Sequence, residues 1–159
     1  MSDRFATRPG EVELGFDPAE RPDATLHFIG RLRSPWSEGD CPRNVRAARE
    51  TGKAAHIELA PEFLPGLEGL EVGQPVVLIY WMYRARRDLI RQVPRHADGA
   101  RGTFALRSPV RPNPLAMSVV KITGIDLEAG TVGIDAIDCF DGTPLVDIKP
   151  WIGTVDDPA

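Results

Sequence analysis

Three prolines within six residues, Pro109, Pro112 and Pro114, constrain this chain more than any other feature. Each fixes φ and removes a backbone donor, so the stretch from Arg107 to Ser118 reads as neither helix nor central strand. Each also pushes the residue before it (Ser108, Arg111, Asn113) out of the α region. The expectation is a stiff, extended loop that holds Arg107 and Arg111 at defined places, with Asn113 as an adaptable polar group. Such a loop loses little entropy when it closes on a ligand. Downstream, Asp141-Gly-Thr-Pro reads as a turn, with Gly142 free to take positive φ.

The remaining segments are short. Thr25 to Arg33 reads as a strand ended by Ser34-Pro35, and Ala54 to Leu59 as another. Pro42 opens a basic surface helix that runs through Arg49 and stops at Gly52. Pro61 to Leu70 has apolar residues at near-helical spacing but is broken by Pro65, Gly66 and Gly69, which predicts short helical turns. The most hydrophobic run, Pro75 to Tyr83, is rich in β-branched and aromatic residues and predicts a buried central strand. Its uniform apolarity also requires cover on both faces: under the Pro61 to Leu70 turns, under the N-terminal arm, or against a second copy. Arg84 to Val93 is a charged helical turn or a hairpin arm, and Gly102 to Leu106 a short strand. Met117 to Asp126 and Thr131 to Ile137 form a hairpin through Leu127 to Gly130. The pattern predicts a mainly β protein: a single antiparallel β-barrel domain with short peripheral helices. An arm over 1–23, the barrel domain over 24–152 and a fraying tail over 153–159 complete the organisation.

At 159 residues the chain can bury a real core, and 42% hydrophobic content is ordinary for a soluble protein. No apolar run approaches the roughly 18 residues of a membrane span, and Asp3, Glu11 and Glu13 stand where a signal peptide would be apolar. Cys41 and Cys139 are far apart and show no metal spacing, so a cytoplasmic protein with reduced thiols is expected. The net charge of -4 hides a basic strip of eight arginines between Arg84 and Arg111, which suits either local phosphate contact or a solvated loop. Nucleotide-binding glycine loops, a Gly-x-Ser-x-Gly elbow and His-Glu-x-x-His are all missing. The histidines are isolated, and His27 and His56 read as structural. Asp135, Asp138, Asp141 and Asp147 are either turn and edge residues or an acid–base or metal group.

A resemblance adds to this. Gly102-Thr-Phe-Ala-Leu-Arg-Ser-Pro-Val-Arg-Pro-Asn-Pro-Leu-Ala-Met-Ser118 resembles a signature of the TsaA-like (TrmO) family. Asp141-Gly-Thr-Pro-Leu-Val-Asp-Ile-Lys-Pro-Trp151 is similar to its second signature, and Ile29-Gly-Arg-Leu-Arg-Ser-Pro-Trp36 to its opening strand. The resemblance implies a β-barrel methyltransferase that uses S-adenosylmethionine, without metal, on threonylcarbamoyl-adenosine in tRNA, and that acts as a homodimer. It implies a cofactor site from Asn44, Val45, Arg46, Tyr83, Arg84, Arg107, Ser118, Val119, Asp141, Gly142, Thr143 and Pro144. On that reading Arg107 meets the methionyl carboxylate or a substrate phosphate. Arg111, Asn113, Arg86 and Arg87 are then expected on the acceptor side, and no catalytic residue is assigned. Where the family has Phe-His after the hydrophobic strand, this chain has Met82-Tyr83. A different, small acceptor and a non-catalytic S-adenosylmethionine-binding module remain the alternatives.

Overall fold

The computed structural model describes residues 6–159. The described chain forms two compact units: residues up to Thr25 with Met82–Ala116, and Leu26–Trp81 with Met117–Ala159. Among the described residues the order is β1 (Val12–Glu13), β2 (Gly30–Arg33), α1 (Val45–Glu50), β3 (Ala55–Leu59), β4 (Pro75–Trp81) and β5 (Leu89–Gln92). There follow β6 (Arg101–Gly102), β7 (Leu115–Asp126), β8 (Thr131–Ile134), β9 (Thr143–Pro150) and the one-turn α2 (Gly153–Asp156). None of the described helices is long and apolar enough to cross a membrane.

The larger unit is a barrel, as the strand pattern predicts. Its strands close in the order β2-β3-β8-β7-β4-β9. Alternation shows most clearly in β3, where Ala55, Ile57 and Leu59 are buried and His56 and Glu58 are exposed. Leu32, Ile57, Leu78, Ile122, Ile134 and Leu145, one from each strand, are at most 1% exposed. Each such side chain contributes about 1.5–3 kcal/mol of burial. Two bulges turn the wall: Thr123 is the extra residue of β7 against β8, and Val146 that of β9 against β4. Gly30 is required by a close approach, since a Cβ there would stand 2.2 Å from the Glu58 carbonyl oxygen. Helix α1 docks on the outside through a small cluster of Trp36, Ala48 and Ala136, with Val45 and Cys41 against it.

Several boundaries differ from expectation. The opening strand begins at Gly30 rather than Thr25: Ile29 N–H still donates to the Leu145 carbonyl, but Val146 of β9 is the bulged residue and no β2–β9 pair follows. The central strand ends at Trp81, where the chain leaves the barrel unit. Strand β7 starts at Leu115, immediately after the last proline, so the loop is shorter than the proline pattern suggests. The Gly142 turn forms with φ +81°, and the chain then continues as β9, whose Pro144, Asp147 and Lys149 interrupt any apolar alternation.

In the smaller unit β5 is the middle of a β1-β5-β6 sheet, so the Arg84–Val93 arm is neither helical nor free. Of the expected Gly102–Leu106 strand only Gly102 lies in a strand, the two-residue β6 that it forms with Arg101. Thr103–Ala105 instead forms a 3-10 turn, because buried Thr103 donates to the Leu89 carbonyl and accepts from Gln92 Nε2. The arm carries β1 and a 3-10 turn at Pro18–Glu20; residues 1–5 lie outside the described residues.

Candidate functional site

The proline-loop and turn signatures contribute to both units, and each unit organises its own share. In the barrel unit, Asn44 is the N-cap of α1, its Oδ1 accepting from Ala47 N–H at 2.8 Å. Val45 packs beside Trp36, and Arg46 points to solvent with Glu50 3.3 Å away. The Trp36 indole N–H donates to the Ile137 carbonyl, and Asp141 N–H donates to the Trp36 carbonyl. These bonds tie the 34–45 loop to the 136–144 segment.

Asp141 accepts from Ser34 N–H and pairs with Arg33 at 3.3 Å. Gly142 N–H donates to Leu32, while its carbonyl accepts from Arg31. Thr143 Oγ1 donates to the Phe140 carbonyl, and Pro144 sits opposite Arg31 in the β2–β9 pair. Val119 accepts from Arg49, which also pairs with Asp135 at 2.6 Å. Although burial opposes it, the Arg49 bond and Lys121 N–H hold the Asp135 carboxyl below its usual range.

Ser118 leads to a cluster that the residue pattern alone did not mark. Tyr80 O–H donates to Asp138 Oδ1 at 2.9 Å, and Ser118 Oγ lies 2.9 Å from Tyr80 Oη and 3.3 Å from Asp138 Oδ1. Tyr80 and Ser118 are 2% and 4% exposed, so these are interior bonds of the kind that fix a polar group in one geometry. Burial, reinforced by the charge of Asp138, pushes the Tyr80 phenol well up, so it stays a neutral donor. The same two causes push the Cys139 thiol to about 12, and burial with Asp138 and Asp40 pushes Cys41 to about 11. Neither thiol is activated toward the thiolate near neutral pH. The available signal in the sequence was a tyrosine inside an aliphatic run, since a buried phenol needs a partner.

In the smaller unit, Arg111 donates to the Leu106 and Ser108 carbonyls and Arg87 to the Pro112 carbonyl and Asn113 Oδ1. These arginines shape the proline loop from inside. Arg86 lies against Asp88 at 2.7 Å and Glu13 at 2.8 Å and bonds Thr7, joining the arm to the sheet. Arg84 donates to the Tyr83 hydroxyl and covers its ring. Arg107 is exposed. Among the described residues, no group of three or more His, Cys, Asp or Glu side chains is placed to hold a metal.

The model of the tRNA-methyltransferase O N-terminal domain matches residues 31–157. The chain belongs to this family. A probable S-adenosyl-L-methionine-binding protein, VirR, from Rhizobium radiobacter is 35% identical over 146 residues, covering 91% of this chain and 81% of that protein. A crystal structure of TrmO superposes with a TM-score of 0.69 at 32% identity, over 87% of this chain and 62% of that one. TrmO from Pseudomonas aeruginosa gives 0.67 at 31%, over 87% and 60%. The chain thus spans about three fifths of the solved TrmO chains that it matches.

Proposed function

We propose that this chain is an S-adenosylmethionine-dependent methyltransferase acting on threonylcarbamoyl-adenosine in tRNA. The observation that carries the reading is the family match across residues 31–157, a range that spans the segments expected to hold the cofactor, Asn44–Arg46, Ser118–Val119 and Asp141–Pro144. Within the barrel unit these segments are linked through Trp36, Arg49, Asp135 and the 136–144 chain. When bound, the cofactor supplies a methyl group on a positively charged sulfur. The protein's tasks are then to hold that donor in line with the acceptor and to exclude water. An adenine edge would share the Val119 and Gly142 carbonyls, which already accept from Arg49 and Arg31, and the half-buried Asp138 carboxylate beside buried Ser118 suits a cationic donor. Arg107 would meet the methionyl carboxylate or a phosphate, with Arg111, Asn113, Arg86 and Arg87 toward the acceptor. A homodimer in the cytoplasm completes the proposal.

The second reading is a non-catalytic S-adenosylmethionine-binding module, favoured by the naming of the VirR relative for binding alone. Incubation with labelled cofactor and total tRNA, followed by mass spectrometry of the nucleosides, separates the two. Methylated threonylcarbamoyl-adenosine is the expected product. Cofactor binding by calorimetry without any transfer would leave the binding module standing. Transfer to a small molecule instead of RNA would move the acceptor.

A further inference from the structure

Four carboxylates lie between positions 135 and 147, and three have a basic partner: Asp135 with Arg49, Asp141 with Arg33, Asp147 with Lys149. Among the described residues no ion pair includes Asp138. Its Oδ1 is held by two hydroxyls, from Tyr80 and Ser118, which are neutral. Among the described residues its Oδ2 has no hydrogen-bond partner. Since no buried side-chain oxygen or nitrogen lacks one among the described residues, that oxygen is accessible. Asp138 itself is half-buried. Holding a carboxylate partly out of water without a counter-charge is costly, and an arriving cation repays it. Tyr80 and Ser118 are buried and fix the direction of Oδ1, so Oδ2 is aimed rather than mobile.

We propose that Asp138, positioned by Tyr80 and Ser118, is the counter-charge that recognises the positive methionyl end of S-adenosylmethionine, its sulfonium or its α-ammonium. The assignment rests on the cofactor reading above and adds to it the residue that selects charge. Calorimetry on the full chain tests it with three ligands. S-adenosylmethionine carries both charges, S-adenosylhomocysteine the ammonium alone, and 5′-methylthioadenosine neither. Asp138→Asn should weaken S-adenosylmethionine at least tenfold and leave methylthioadenosine unchanged. Unchanged S-adenosylhomocysteine then places the carboxylate at the sulfonium, and equal weakening places it at the ammonium. Tyr80→Phe keeps the ring and removes the hydroxyl's bonds to Asp138 and to Ser118, which together aim the carboxylate. It should lower the S-adenosylmethionine to methylthioadenosine affinity ratio several-fold, and this arm stands even if Asp138→Asn does not fold. Wild-type affinity for S-adenosylmethionine in both variants overturns the proposal, as does equal loss of all three ligands. Normal binding with lost transfer to tRNA also overturns it, in favour of a proton acceptor. A wild-type protein that binds none of the three overturns the cofactor reading itself.

Discussion

Arg107 and Arg111 stand four positions apart in the same loop, yet they belong to different kinds of experiment. Arg111 donates to two carbonyls of its own loop. Arg111→Ala should therefore lower stability by about 1–2 kcal/mol through the lost bonds, visible as a lower denaturation midpoint. Arg107→Ala should instead cost about 1.5–3 kcal/mol of S-adenosylmethionine affinity by calorimetry, with a nearly unchanged melting temperature. A fall in melting temperature with unchanged affinity would assign Arg107 to the loop's structure. Both arginines look alike in sequence; the fold turns Arg111 onto the carbonyls of Leu106 and Ser108 and leaves Arg107 exposed.

At the scale of elements, the β2–β3 contact and the docking of β1 are the two joints most open to test. Gly30→Ala places a methyl against the Glu58 carbonyl, and backbone cannot yield as a side-chain tip can. A loss of about 3 kcal/mol or more in urea denaturation is expected, whereas Gly66→Ala, which meets nothing within 4 Å, should be nearly neutral. In the arm, Glu11 ties three groups. Against the burial that would raise it, bonds from the Arg8 side chain and backbone and from Val93 N–H hold its carboxyl at about 2. A depressed carboxyl stabilises above its unfolded value near 4.5, and that contribution disappears as pH falls through the folded value. Amide exchange at Val93 should therefore accelerate as pH drops from about 4.5 toward 2, after correction for intrinsic rates. Glu11→Gln should show fast exchange throughout and little of this pH dependence.

For the whole molecule, the open question is the second copy. The apolar run of β4 offered a packing motive for a dimer, but within one chain Val76, Val77, Leu78 and Tyr80 are already no more than 9% exposed. The dimer therefore remains what the family resemblance implies, and light scattering at micromolar concentration decides it. Twice the chain mass is expected. A monomer with full cofactor affinity would refute a site shared between subunits. The Arg86→Ala, Arg87→Ala pair needs care in such work, because both side chains also hold the smaller unit together.

The sequence alone determined that this is an antiparallel barrel protein of the TrmO family. Proline spacing, the β4 run and two long signatures are local features, and strand period and turn chemistry follow from neighbours along the chain. Tertiary structure decided what depends on partners distant in sequence. Strand β5 is central only because Val12 and Gly102 flank Arg91. Strand β9 shows no alternation because the Val146 bulge shifts its register against β4 and Pro144, Asp147 and Lys149 interrupt the apolar pattern. Tyr80, Ser118 and Asp138 come from β4, β7 and the 136–142 segment, 58 positions apart at the extremes. Nothing along the chain marks Asp138 off from Asp135, Asp141 and Asp147. Only the fold gives those three a basic partner and leaves Asp138 with neutral hydroxyls.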